Sequence, residues 1–276
     1  MDITYRQVTT LAEARAWLAQ INVEPKHFAV IKEDPGTFQR KVKARRVLAA
    51  DFCHTLTVEG QWDVIRRSIL TTEQAAQNKR NLDVYFARHK EREAPKKAQA
   101  RFEHQLVYYQ VTCMRNNGTT RKQLWELGIA IGSRACVREL LESFNRAVVV
   151  SFGIADIIEP HLAHNGVRAD VLAARLIFDA QGRVRTVQEG SIVVGAQKDE
   201  ALHHWLSVRQ LPEESTVVVG DDPTVDGRMF GAKSLNVLVR RGDGKMSDDH
   251  LAQSHFERIH AIVSDLEVLA HLRKAT

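Results

Sequence analysis

The chain has 276 residues, 44% hydrophobic and 26% charged, with only 15 Gly and 6 Pro. That excludes disorder as the main state and any fibrous or low-complexity architecture, and it is enough to bury the core of one large domain or two modest ones. The net charge of +5, from 39 Lys and Arg against 34 Asp and Glu, keeps an anionic partner in view.

Taken in chain order, the sequence predicts a helix over residues 11–21 and a strand over 27–31, preceded by no basic segment with an apolar run that would read as a secretory leader. Val-Leu-Ala-Ala at 47–50, Ala-Val-Val-Val at 147–150 and Val-Val-Val at 217–219 read as buried strands of a parallel sheet. Each is followed by a loop, and the second and third by a helical pattern, as in βα units. Between the first two runs, from residue 62 to about 128, the sequence changes to helix formers with heptad-like spacing, broken only at Pro95 and Asn116-Asn117-Gly118. The expectation is an α/β core interrupted after its first strand by an all-helical insert. Residues 1–45 form an N-terminal extension, 46–60 and 130–276 the core, and 61–129 the insert. Residues 171–195 predict two extended segments around the Asp179-Ala180-Gln181-Gly182 turn, 234–239 and 259–264 further strands, and 266–273 a closing helix.

Charge is uneven along this plan. Residues 1–46 carry nine basic and five acidic groups and residues 62–146 sixteen and nine, whereas residues 147–276 carry fourteen and eighteen. In the insert, Lys79, Arg80, Arg88, Lys90, Arg92, Lys96, Lys97 and Arg101 outnumber Asp83, Glu91 and Glu93. Such a run is either a solvated helix face or a field that draws anions to a cleft. A phosphorylated metabolite or nucleotide fits the second reading; nucleic acid is disfavoured, because no basic motif is interleaved with aromatics. Cys53, Cys113 and Cys136 form no CxxC pair, which points to a reducing compartment and a cytoplasmic location. No stretch approaches the ~20 apolar residues that span a bilayer, and nothing in the sequence speaks to oligomeric state.

Three strands end in polar groups, and open α/β sheets bind ligands at that edge. Asp51 follows the first run, as a turn residue or a functional acid. Ser151-Phe152-Gly153 follows the second, suited to anion binding or to a simple helix cap. Gly220-Asp221-Asp222-Pro223-Thr224-Val225-Asp226 follows the third, and its three carboxylates repel one another unless a lysine or a hard divalent cation neutralises them. Lys198 lies 23 residues before Asp221 at a predicted helix start.

The order and spacing of these pieces resemble the haloacid dehalogenase-like superfamily of phosphohydrolases, over residues 42–272. Asp51 and Thr55 match its first motif, Ser151 the second, Lys198 the third and the acidic loop the fourth. Asp51-Phe52, Thr55-Leu56-Thr57, Asp156, Glu159, Phe178-Asp179, Gly182, Asp226 and Arg228-Met229 look closest to the branch of pyrimidine 5′-nucleotidases and phosphoserine phosphatase-like enzymes. There a helical cap sits between the first two motifs, here 100 residues apart. The resemblance implies a Rossmann-like parallel core and a magnesium-dependent phosphatase acting through an aspartyl-phosphate on Asp51. It implies that Asp51, the main-chain carbonyl of Cys53 and Asp221 hold the metal, with Asp222 or Asp226 orienting either Lys198 or a metal-bound water. Thr55, Ser151, Phe152 and Lys198 would surround the phosphate.

One position departs from the pattern. Cys53 stands where the superfamily usually has its acid/base Asp, so slow turnover is expected, since such assistance is typically worth roughly 10²- to 10⁴-fold. The alternatives are substrates with good leaving groups, a proton supplied by another group such as His54, a weak phosphatase whose aspartyl-phosphate persists, or a ligand-binding or regulatory protein.

Overall fold

A computed structural model describes residues 1–21, 27–90, 96–240, 251 and 253–274, and of residues 82, 85–90, 96–98 and 254 the backbone alone. The β-branched and apolar runs build the centre of one sheet. These are β1 (Thr4–Gln7), β2 (Phe28–Ile31), β3 (Val47–Ala50), β4 (Arg146–Ile154), β5 (Asp170–Ala174), β8 (Thr216–Gly220), β9 (Leu235–Val239) and β10 (Ala261–Val263). Their order is β1-β2-β10-β9-β8-β3-β4-β5. Every pairing is parallel except that of β2 with β10. β6 (Leu176–Phe178) and β7 (Val184–Val187) form a separate ribbon around the expected turn, where Gly182 has φ +74° and Asp179 accepts two main-chain N–H groups.

Alternation along the strands feeds two cores. Leu48, Ala50, Val149, Val217 and Val219 face one side, with α2 (Pro35–Ala44), α7 (Val137–Glu142), α8 (Ala155–His164) and α11 (Leu266–Lys274). Val47, Ala49, Val148, Val150 and Val218 face the other, with α1 (Leu11–Gln20), α9 (Lys198–Val208) and α10 (Gln253–Arg258). Helices therefore cover both faces of a mostly parallel sheet, the α/β arrangement expected from the runs and the Rossmann-like core that the resemblance implied. The first 45 residues add β1 and β2 to this sheet, and Phe28, Phe38 and Val42 are fully buried.

Between β3 and β4 the chain is helical: α3 (Gln61–Ser68), α4 (Thr72–Lys90), α5 (Lys96–Asn116) and α6 (Arg121–Ala130). The ends are local choices. Thr120 and Gln123 close a capping box at α6, and the Asn116-Asn117-Gly118 turn, with Gly118 at φ +66°, ends α5. Lys79, Arg80 and Arg101 of the basic run belong to described residues, whereas Arg88, Lys90, Glu91, Arg92, Glu93, Lys96 and Lys97 lie outside the described side chains. Among the described residues no helix is long and apolar enough to cross a membrane.

Candidate active site

From β3 the chain passes to β4 and β5 on one side and then returns to β8 and β9 on the other, so the strand order reverses between the parallel neighbours β3 and β8. A crevice opens at the carboxyl ends of strands beside such a switch. Asp51 lies at that edge, its N–H still bonded to the Val219 carbonyl at 2.9 Å. Ser151 follows from β4, Asp221 and Asp226 from the loop after β8, and Lys198 from the first position of α9.

Lys198 is the centre of the cluster. Its Nζ donates to Asp51 Oδ1 at 2.5 Å and to Asp226 Oδ1 at 2.6 Å, and the side chain is 1% exposed. Asp226 Oδ2 accepts the N–H groups of Asp221 and Asp222 at 2.9 and 3.0 Å. Of the two acids left open by the sequence, Asp226 is thus the one that orients Lys198. Asp222 turns its carboxylate on Thr224 and Val225 and shapes the loop. Gly220 permits this fold-back, because a Cβ there would lie 2.3 Å from that of Asp226. The Thr55 hydroxyl, expected at the phosphate, donates to Asp221 Oδ1 at 2.8 Å.

Asp51, Asp221 and Asp226 are buried and each offers an oxygen within 4.8 Å of the others. Burial pushes the Asp51 carboxyl up to about 7, against the pull of Lys198 and with the Asp226 charge adding to it. Burial, then the charges of Asp226, Asp51 and Asp222, raises Asp221 well above the ordinary carboxylate range. Burial opposes the charge on Lys198, yet Asp226 and Asp51 together hold its ammonium above the usual value. Three carboxylates against one ammonium leave a buried negative excess. Hard oxygen donors with that excess suit a divalent cation such as magnesium.

A cavity of about 320 Å³ opens over this cluster. Asp51, Cys53, His54, Ser151, Phe152 and Lys198 line it from the core, and Trp62, Asp63, Arg66, Lys79 and Asp83 line it from the helices. The Ser151 hydroxyl is buried and has no hydrogen-bond partner among the described residues, an acceptor-seeking donor facing the cavity. The Cys53 thiol accepts the Gln61 N–H at 3.3 Å, and burial followed by the Asp51 charge pushes its ionisation far up, so it stays a neutral thiol. His54 adopts a left-handed φ of +57°, and its carbonyl accepts the Arg134 guanidinium at 2.9 Å.

The family model for haloacid dehalogenase-like hydrolases matches residues 48–229. The chain belongs to that family. None of the curated proteins matches the sequence, but solved structures share the family's fold. A cytosolic 5′-nucleotidase IIIB bound to cytidine superposes with TM-score 0.64 at 13% identity, over 94% of this chain and 97% of that one. A haloacid dehalogenase family hydrolase from Salmonella enterica serovar Typhi gives 0.59 at 14% identity, over 83% and 71%. A phosphoserine phosphatase, as a phospho-aspartyl intermediate analogue, gives 0.53 at 19% identity, over 80% and 93%.

In this family member, several residues around the site had no signal in the sequence. Arg134 ties the His54 carbonyl to that of Arg240, at 2.9 and 2.6 Å. Glu103 of α5 is fully buried and accepts the Ala196 N–H at 2.9 Å, two residues before Lys198. Gln61 and Trp62 bond to the end of β4. Each meets main-chain atoms far away in sequence, which no local pattern announces.

Proposed function

We propose that the protein is a phosphoric monoester hydrolase for small phosphorylated metabolites, nucleotides among them. The observation that carries this is the buried Lys198 bridge between Asp51 and Asp226, placed beside Asp221 and an unpartnered Ser151 hydroxyl at one end of a cavity. Asp51 and Asp221, with the Cys53 carbonyl, would hold magnesium, which supplies positive charge against the acids and the phosphate. Lys198 and the Ser151 hydroxyl take phosphate oxygens, with Phe152 lining the same wall. The helices over residues 61–129 serve as a cap that carries the leaving-group side of the cavity, and the compartment is the cytoplasm.

In the first half-reaction an Asp51 oxygen attacks phosphorus, the bond to the ester oxygen breaks, and the alcoholate departs with the electron pair. In the second, water attacks the aspartyl-phosphate, giving inorganic phosphate and the free Asp51 carboxylate. Lys198 keeps Asp51 oriented and lowers the repulsion as the anion approaches.

Cys53 shapes the first half-reaction. Its thiol is held neutral by burial and by Asp51, so it is a poor proton donor and no base. Turnover therefore depends on how readily the alcoholate leaves unaided. This same observation favours a second reading, a catalytically weakened member that acts by binding its ligand. A panel of phosphomonoesters assayed with magnesium and then with chelator separates them. The hydrolase reading expects phosphate release that needs magnesium, falls by more than roughly 10³-fold in Asp51→Asn, and runs faster on p-nitrophenyl phosphate than on alkyl phosphates. Phosphate binding without release in the wild type supports the second reading instead.

A further inference from the structure

β3 accompanies β4 as far as the Ala50–Val149 pair and then leaves the sheet at Asp51. On the other side, the β4–β5 register shifts between Val150 and Ile154. The segment that carries Ser151 thus runs past one neighbour and through an irregularity with the other. Regular ladder bonds do not fix it.

A side chain takes the missing place. The carboxamide of Gln61, fully buried at the start of α3, accepts the Ile154 N–H at 2.7 Å and donates to the Ile154 carbonyl at 3.0 Å. One residue of an adjoining antiparallel strand makes the same two bonds. Beside it the Trp62 indole N–H donates to the Phe152 carbonyl at 2.9 Å. Gly153 lies under the amide, where a Cβ would come within 2.3 Å of Gln61 Oε1. The main-chain N–H of Gln61 faces the other way, to Cys53 Sγ at 3.3 Å.

We infer that Gln61 is a positioning residue: its carboxamide acts as a surrogate strand residue that fixes the Ser151–Gly153 backbone, and so the Ser151 hydroxyl, relative to Asp51. Phosphate as the group that hydroxyl receives rests on the proposed function. The first residue of the helical insert thereby becomes part of the frame of the phosphate site. Trp62 supports the same frame two residues earlier, at Phe152, and Gly153 is the residue type that leaves room for the Gln61 amide.

Gln61→Ala removes both bonds; Gln61→Glu keeps an acceptor for the Ile154 N–H and loses the donor to its carbonyl. Each variant is compared with wild type in p-nitrophenyl phosphate turnover with magnesium, in inhibition by inorganic phosphate, and in thermal melting. Both variants are expected to lose about 10- to 100-fold in kcat/KM, with phosphate inhibition weakened in parallel, while Gln61→Glu still melts cooperatively. Unchanged phosphate inhibition and unchanged turnover per folded molecule, with only the melting temperature lowered, would make Gln61 a structural latch and overturn the inference. A wild type that neither turns over the ester nor responds to phosphate overturns the phosphatase reading instead, before any variant is compared.

Discussion

At Cys53 a single side chain decides how the site can work. The thiol is buried, and the Asp51 and Asp221 carboxylates add to what burial already does against a thiolate, so it neither gives nor takes a proton readily. Cys53→Asp is expected to raise kcat on alkyl phosphates by roughly 10²-fold, within the usual range of acid–base assistance, and to narrow the gap between alkyl and p-nitrophenyl esters. Steady-state rates on both esters check this; equal or lower rates in the variant would show that the proton comes from elsewhere. The residues that could be read from sequence are those at the ends of apolar runs, Asp51, Ser151 and Asp221, along with Lys198 by its order in the chain. Thr55 was legible as a motif residue but not in its contact, because its partner Asp221 lies 166 positions away. Asp226 was separable from Asp222 only once the Lys198 bridge showed which carboxylate it meets.

At the scale of elements, the helices are fastened to the core by buried polar groups, and these titrate. His161 of α8 bonds the Gly128 carbonyl at the end of α6 through Nδ1, at 3.1 Å, and the Ser133 hydroxyl through Nε2, at 2.9 Å. Burial lowers its pKa below the ordinary 6.5, so the unfolded chain takes a proton that the folded one resists. Its contribution is complete above about pH 6.5 and declines as the pH falls below that value, by at most about 1.4 kcal/mol per unit. Asp51 and Asp221, with raised values, act in the opposite sense, and buried His260 acts in the same sense. The clean readout is therefore a difference. Denaturant melts of wild type and His161→Gln are expected to diverge in slope only in the acidic range, the variant losing less stability. Parallel curves would mean that His161 takes up its proton as readily in the folded state as in the unfolded chain. The elements themselves were largely legible, since β-branched runs, capping boxes and the Asn116-Asn117-Gly118 turn are local signals. The extension of β4 to Ile154 was not, because a side chain from α3 holds it.

For the whole molecule, the net charge conceals its distribution. A negative cluster at the ends of β3 and β8 is only partly offset by Lys198, and Arg66 and Lys79 reach the cavity from the helices already paired with Asp63 and Asp83. The sheet also uses the first 45 residues, whose helix and strand could be read but whose docking depends on the antiparallel match of β2 to β10. That pairing joins segments over 200 residues apart, beyond any pattern within one stretch of sequence. What unites these features is a site assembled from three strand ends and a helix start around one acid. The direct test is an acid quench of wild type turning over p-nitrophenyl phosphate with magnesium, followed by peptide mass spectrometry. The account predicts one phosphoryl group on the peptide that contains Asp51, absent in Asp51→Asn together with turnover. Turnover that persists in Asp51→Asn, with no phosphoryl group on that peptide in the wild type, would contradict it.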